Sequence, residues 1–230
     1  MFRSALAVAA AAALVISVHA QTPPAAPQAP APQAPAGPMA PAAPLGPNTW
    51  TVDGNHTAAQ FSVKHLLVST VRGTLGKVSG TIDWDGKTPE SIKADISIDV
   101  NGINTGTEGR DKDLRSPNFF DVAQFPTATF KSKKVEPAGA GKFKLVGDLT
   151  LHGVTKEVAL NVEGPSPILK QPNGGLKVGA SAMTTLNRHD FGLHYNRMME
   201  AAPVVGDEIQ VQIDIEANKR PPEGTAPSSR

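Results

Sequence analysis

The feature that most constrains the fold is an alternation of apolar and polar residues along the middle of the chain. In residues 92–100, Ile, Ala and Val at every second position alternate with Lys, Asp and Ser. This period of two is typical of a β-strand that has one buried face and one face in water. The same pattern predicts strands at 143–151, 158–162, 176–182 and 209–215, and in a weaker form at 58–63, 71–84 and 127–135.

The polar outer faces of these segments decide which kind of sheet they form. Strands of a parallel α/β sheet are covered on both faces and have continuous apolar runs, which these segments lack. An antiparallel sandwich or barrel therefore remains. His152-Gly153 and Asp85-Gly86 lie where the alternation breaks, and both pairs suit tight turns that need a positive φ.

One segment departs from the period of two. Thr105 and Glu108 have the spacing of a capping box, and the residues up to Arg115 predict a short helix that Ser116-Pro117 ends. Leu114 within this helix and the pair Phe119-Phe120 after it would supply the apolar groups needed to close one end of a barrel.

Several predicted inward positions carry small residues, namely Ala94, Gly147, Ala180 and Ala182. An eight-stranded barrel encloses just enough space for side chains or for one small ligand. Small inward residues favour a cavity, although larger residues on facing strands could fill the same space. The sequence leaves both alternatives open.

The two ends of the chain have a different composition from the middle. Residues 1–20 have one basic residue, a 14-residue apolar run and a final Val-His-Ala, which predicts a secretory leader cleaved after Ala20. Residues 21–48 are rich in Pro and Ala without any charge and predict a disordered linker. Residues 219–230 predict a disordered tail, which leaves 49–218 as the β-barrel domain.

Charge and cysteine content exclude several classes of function. The chain has 22 Lys and Arg against 21 Asp and Glu, so its net charge gives no reason to expect a nucleic acid partner or an anionic membrane surface. The absence of Cys excludes disulfides, thiolate metal sites, a Cys nucleophile and an acylated lipoprotein Cys. The apolar run in the leader is also short for stable membrane insertion, which needs about 20 residues.

Several blocks of sequence, taken together and in order, resemble one family. Residues 50–57 and 61–66 are similar to the opening of the YceI-like proteins. Residues 110–116, 119–121 and 125–130 resemble the central signature of that family, and 147–156 and 188–192 its later blocks.

The resemblance implies an all-β fold, an extended eight-stranded antiparallel lipocalin-like barrel with a short helix closing one end. It also implies export to the periplasm and an interior that holds a long-chain isoprenoid or fatty-acid-like lipid, with no cofactor and no established catalytic residue. A homodimer is left open. The residues that we expect to contact the lipid are Phe61, His65, Arg110, Leu114, Phe119, Phe120, Arg188 and Phe191.

The polar residues in these blocks have two interpretations each. His65 fits either a contact to the polar head of a ligand or a hydrogen-bonded core histidine. Arg188 and Asp190 would share one face of a strand and form an ion pair, and Arg110 has a carboxylate beside it at Asp111. A ligand with a phosphate head would favour arginine as its anchor.

The histidines that remain after the leader do not predict a metal site. None of them forms an HExxH pair, and His189 and His194 are five apart, so they would face opposite sides of a strand. The first hypothesis is therefore a non-enzymatic periplasmic carrier of a hydrophobic chain. The second is a stress-linked or quinone-redox accessory enzyme acting on a lipid head group.

Overall fold

Strands account for most of the chain in the computed structural model, which describes residues 46–195, 198–199 and 202–220. Each of the eight strands predicted from the alternation is present, and several are longer than predicted. The strands are β1 Thr49–Val52, β2 Ala58–His65, β3 Ser69–Asp83, β4 Lys93–Asp99, β5 Thr127–Pro137, β6 Lys142–Leu151, β7 Val154–Glu163, β8 Leu169–Lys170, β9 Leu176–Asn187, β10 Met198–Met199, β11 Ala202–Pro203 and β12 Val205–Lys219.

Helical structure in these ranges is limited to one α-helix and three short 3₁₀ turns. The α-helix, α1, spans Glu108–Arg115. The 3₁₀ turns span Pro89–Ser91, Val100–Gly102 and Arg188–Phe191. No helix in the described ranges has the length and apolar character needed to cross a bilayer. The predicted leader and most of the predicted linker lie outside the described residues.

Eight long strands close into a barrel. Neighbouring strands pair antiparallel in the order β12, β2, β3, β4, β5, β6, β7, β9, and β9 pairs again with β12. The closing pair runs in continuous register from Glu208 opposite Asn187 to Lys219 opposite Leu176. The predicted eight-stranded antiparallel barrel is therefore confirmed. The short strand β1 pairs with β12 and β3 beyond the point where β2 begins.

The barrel has two different ends. We call the end with the β2–β3 hairpin, α1 and the Arg188–Phe191 turn the helix end. The opposite tryptophan end holds Trp50 and Trp84, both buried, with ring centroids 5.4 Å apart. The Trp50 indole N–H donates to the Trp84 carbonyl, and the Trp84 indole N–H donates to the Thr88 carbonyl. Because both polar atoms have partners, the two rings can close this end without a desolvation cost.

The start of α1 differs from the predicted capping box. Thr107 is the N-cap residue, and its side chain makes no capping hydrogen bond. Thr105 instead donates its backbone N–H and its hydroxyl to Oδ1 of Asp111, a buried carboxylate of the helix itself. The capping box predicted from the spacing of Thr105 and Glu108 was therefore wrong. The predicted end of the helix at Ser116 is confirmed.

Gly147 has a different role from the one expected of a small inward residue. It lies on the inward face of β6, as expected, but the cavity does not reach it, since a Cβ there would lie 2.4 Å from the Lys131 carbonyl oxygen and 2.7 Å from the Phe130 ring. The pairing of β5 with β6 shifts register at this point, between Ser132 and Lys134. Glycine is therefore required by the close approach of two strands, as is usual at a bulge.

We expect Gly147→Ala to lower the free energy of unfolding by about 1–3 kcal/mol, because the methyl group must displace backbone as well as a ring. Chemical denaturation measures the effect. The matched control is Gly109→Ala in α1, where a Cβ would meet nothing within 4 Å, and this change should be neutral or stabilising. Equal effects of the two substitutions would contradict the assignment of Gly147 to a backbone contact.

Candidate functional site

An apolar cavity of about 230 Å³ lies inside the barrel. It extends from Trp84 and Val178 near the tryptophan end to Leu114 and Phe119 near the helix end. Inward-facing side chains from all eight barrel strands line it, among them Phe61, Leu75, Ile96, Phe130, Leu145, Leu160, Ala182 and Ile213. The alternation that predicted the strands is therefore also the pattern that places an apolar face on the cavity.

Small side chains on two strands account for part of the cavity volume. Ala94 on β4 and Ala180 and Ala182 on β9 line the cavity, as expected, while Gly147 does not. Ala180 and Ala182 lie opposite Ile215 and Ile213 in the closing strand pair. Two adjacent inward alanines on one strand leave a strip of barrel wall that a ligand chain can occupy without displacing larger side chains.

The helix end is closed by the segment predicted to do so. Leu114, Phe119 and Phe120 all line the cavity, and the Phe119 ring contacts Tyr195 with centroids 4.6 Å apart. Phe119 and Phe120 are each only half-buried. The two rings therefore lie between the cavity and solvent, which is the position of a cover that a ligand would have to pass or contact.

Arg188 is the one ionisable side chain among the cavity-lining residues of the described chain. It is only 4% exposed, and its guanidinium is fully engaged by the protein. Five acceptors surround it, which are the carbonyls of Gly206, Leu193, Tyr195 and Val205 and a carboxylate oxygen of Asp207. Because a guanidinium has five N–H donors, none is left over for a ligand phosphate.

This arrangement corrects the prediction that Arg188 pairs with Asp190 on a strand face. Arg188 begins a 3₁₀ turn rather than continuing β9, so the strand periodicity does not apply to it. Its carboxylate partner is Asp207, with Nη2 3.0 Å from Oδ1. Phe191, which belongs to the same sequence block as Arg188, is buried and lines the cavity, as Arg188 does.

The same turn also brings together His189 and His194, which were expected to face apart. Their rings are stacked, with the two Nδ1 atoms 3.0 Å apart, and His189 Nε2 lies 2.8 Å from Asp207 Oδ1. The hydrogen bond from His189, together with the nearby charge of Arg188, holds the pKa of Asp207 below its usual value. These contacts fix the turn against the start of β12.

Two residues expected to contact a ligand do not reach the cavity. Arg110 is held at the surface, where its guanidinium donates to the hydroxyls of Thr105 and Thr107 and so organises the loop before α1. His65 lies at the last position of β2, opposite Val205 and Ser69, and is not among the lining residues. The other six predicted residues line the cavity, and their contact with a ligand stays a prediction.

A cluster at the tryptophan end was not predicted. His56 Nδ1 lies 3.0 Å from Asp53 Oδ2 and 3.5 Å from Glu216 Oε1, and the hydrogen bond from His56 lowers the pKa of Asp53 to about 2. Lys177 also donates to Glu216, and Asn218 to Asp53. Because both carboxylates accept hydrogen bonds from residues on other elements, the cluster ties the turn after β1 to β12 and β9.

No local signal could have revealed this cluster, because Glu216 is 160 positions from His56 in the chain and becomes its neighbour only when β12 pairs with β1. When ion-pair partners are distant in sequence, the order of the strands in the sheet brings them together, and the spacing of residues along the chain does not reveal them.

The closed barrel with its apolar cavity is the architecture of a β-barrel binding protein. The family model for the YceI-like domain matches residues 50–217, and the chain belongs to this family. A UPF0312 protein of Staphylococcus aureus is 33% identical over 169 residues, which cover 73% of this chain and 95% of that protein.

Solved structures show the same fold. A YceI protein of Campylobacter jejuni has a TM-score of 0.59 and 32% identity, over 68% of this chain and 90% of that one. A polyisoprenoid binding domain from Saccharophagus degradans has a TM-score of 0.56 and 19% identity, over 74% of this chain and 98% of that one.

We expect Arg188→Met to lower the free energy of unfolding by about 3 kcal/mol, because several buried carbonyls and Asp207 would lose their donor. The matched control is Arg110→Met, an exposed guanidinium whose loss should cost less than about 1 kcal/mol. Denaturant titration of both variants measures the difference. A stable Arg188→Met protein that has lost lipid binding would instead show that this arginine serves the ligand.

Proposed function

We propose that this protein is a periplasmic carrier that holds a long isoprenoid or similar amphiphilic lipid inside its barrel. The observation that carries the proposal is the continuous apolar cavity between the tryptophan end and the helix end. An apolar space that runs along the barrel suits a flexible hydrocarbon chain better than a bulky ring system.

Affinity in such a site comes from the burial of apolar surface rather than from polar contacts. Burial of apolar surface contributes about 25 cal/mol per Å², so a chain of many methylenes can bind tightly without a specific hydrogen bond. The wall offers no free charged group, since the donors of Arg188 are all used. A charged head group would therefore be more stable outside the cavity or at its helix end.

The relatives support this proposal to different degrees. Membership of the YceI-like family supports a barrel that binds ligands. The Saccharophagus degradans neighbour is described as a polyisoprenoid binding domain, and at 19% identity the likeness extends to the fold alone. The proposal for this chain therefore depends on its own cavity.

The alternative, an accessory enzyme that acts on a lipid head group, has less support. Such an enzyme needs a nucleophile, an acid–base group or a bound cofactor that reaches the ligand. Among the cavity-lining residues of the described chain, the ionisable one is Arg188, and its partners hold it in place. A binding role needs nothing beyond what lines the cavity.

The carrier function can be tested by filling the cavity with larger side chains. We expect Ala180→Leu with Ala182→Leu to reduce loading with a defined polyprenol about tenfold or more, because the added methylenes take up space that the chain would occupy. Native mass spectrometry of the loaded protein measures occupancy. Since the leucines enter free space, the free energy of unfolding should change by less than about 1 kcal/mol, whereas overpacking a filled core costs about 1–3 kcal/mol.

The matched control is Thr185→Leu, an exposed position on the outer face of the same strand, which should load normally. Equal loading of the cavity variant and the control would contradict the proposed site. Strong destabilisation of the cavity variant alone would show that larger side chains already fill this space.

The periplasmic location rests on the predicted leader. We expect the exported protein to begin at Gln21, because the apolar run is followed by small residues at the positions that signal peptidase requires. N-terminal sequencing of the protein from a periplasmic extract measures this. A protein that keeps Met1 and fractionates with membranes would contradict both the cleavage and the location.

A further inference from the structure

The hairpin between β2 and β3 exposes apolar side chains at its tip. Val68 is 86% exposed and Leu67 is 64% exposed, the two highest values among the large hydrophobic residues of the described chain. We call residues 65–69 the β2–β3 tip. Two adjacent apolar side chains in water raise the free energy of the folded protein without contributing to its core, and clustered exposed apolar residues are typical of an interaction site.

The backbone of the tip is held in a conformation that leucine disfavours. Leu66 and Leu67 have φ values of 52° and 59°, in the left-handed region where glycine is preferred. Hydrogen bonds from Leu66 N–H to the Val204 carbonyl and from Val68 N–H to the His65 carbonyl fix the turn. An Asn-Gly turn would form the same reversal at lower cost. The strained leucines therefore point to a function for their side chains.

The charge around the tip is uneven even though the chain as a whole is nearly neutral. Between Asp53 and Asp83 the sequence contains three basic residues and no Asp or Glu, whereas the whole chain has a net charge of only +1. Two of the three, Lys64 and Arg72, lie within three residues of the tip, while Lys77 lies further along β3, opposite Asp99. Lys64 is exposed beside the tip. On the adjacent strand, Asp207 is paired with Arg188 and Glu208 is exposed, so Lys64 and Arg72 have one acidic neighbour there that Arg188 does not engage. An apolar tip on a basic hairpin is complementary to an anionic lipid surface.

The tip lies at the helix end of the barrel, close to the cover of the cavity. Phe61, four residues before the tip on β2, lines the cavity. On the other strand of the hairpin, Gly73 packs against the loop at Asn104 and Thr105 that leads into α1. A surface that contacts the tip would therefore lie at the same end of the barrel as the segment that covers the cavity.

We propose that the β2–β3 tip inserts Leu67 and Val68 into the interface of an anionic phospholipid membrane and so places the helix end of the barrel against the bilayer. Docking deepens the proposed carrier function, because a lipid cargo could then exchange between bilayer and cavity without crossing water. The docking itself needs no bound cargo.

The absence of Cys from the chain allows a direct test. Val68→Cys in the mature protein is labelled with an environment-sensitive fluorophore and mixed with vesicles of phosphatidylcholine and phosphatidylglycerol that contain no isoprenoid. The control is Leu169→Cys, which is 62% exposed at the tryptophan end. We expect a blue shift, and quenching by nitroxide lipids, for the label at position 68 only. No change at position 68, or equal changes at both positions, would overturn the proposal.

A second pair of variants tests the apolar contribution. Leu67→Ser with Val68→Ser should weaken vesicle binding about tenfold or more, because the burial of two apolar side chains is lost. Ile168→Ser with Leu169→Ser removes exposed apolar residues at the opposite end and should bind vesicles as the parent protein does. If the tip serine variant instead abolishes a dimer seen by light scattering, and vesicles are not bound, the tip is an interface between copies and the proposal is wrong.

Loading with polyprenol from detergent separates this proposal from the carrier function. The tip serine variant should load from detergent as the parent does, and should load more slowly when the polyprenol is supplied in vesicles. If the parent docks on vesicles but never loads, the carrier function fails and the docking proposal stands. If the parent loads but does not dock on vesicles, the docking proposal fails and the carrier function stands.

Discussion

The pairing of β9 with β12 is the interaction on which the rest of the structure depends. Twelve consecutive residue pairs join the two strands and turn an open sheet into a barrel. Closure gives every barrel strand two neighbours, so the backbone polar groups are satisfied within the wall itself. The shape of the barrel then depends on the ladder of hydrogen bonds, and its interior does not have to be filled completely to hold the strands in place.

Much of this fold could be predicted because its signal is local. Inward and outward residues alternate along each strand, so each of the eight barrel strands could be recognised from about ten residues of sequence. Turn residues such as His152-Gly153, both with positive φ, mark a hairpin in the same local way. The family resemblance supplied the closure of the barrel, which the periodicity alone left undecided between a sandwich and a barrel.

The errors arose where local periodicity ends or where contacts are distant in sequence. Arg188 and His189 directly follow a long strand, and extending its period of two past Asn187 assigned both side chains to the wrong neighbours. Gly147 is inward as the alternation predicts, but it adds no space to the cavity, because a bulge in β5 brings Lys131 and the Phe130 ring close to it. The cluster of Asp53, His56 and Glu216 requires the pairing of the first and last strands.

A cavity along the axis of the barrel removes packing contacts that a filled core would have, and this loss has to be offset elsewhere. The structure places strong contacts at both ends. Trp50 and Trp84 pack with satisfied indole groups at one end, and at the other Arg188 joins the turn after β9 to the start of β12.

These two ends differ in how easily they could open. At the tryptophan end, two large buried rings would have to leave the core together. At the helix end, the cover includes Phe119 and Phe120, which are only half-buried and follow a helix of two turns, although their backbone N–H groups donate to the Ser116 and Leu114 carbonyls. Because the Arg188 network holds the rim beside that cover, a rotation of the two phenylalanine side chains would leave the barrel wall in place. If the proposed carrier function holds, the half-buried cover at the helix end is therefore where we expect a lipid chain to enter and leave, rather than the tryptophan end.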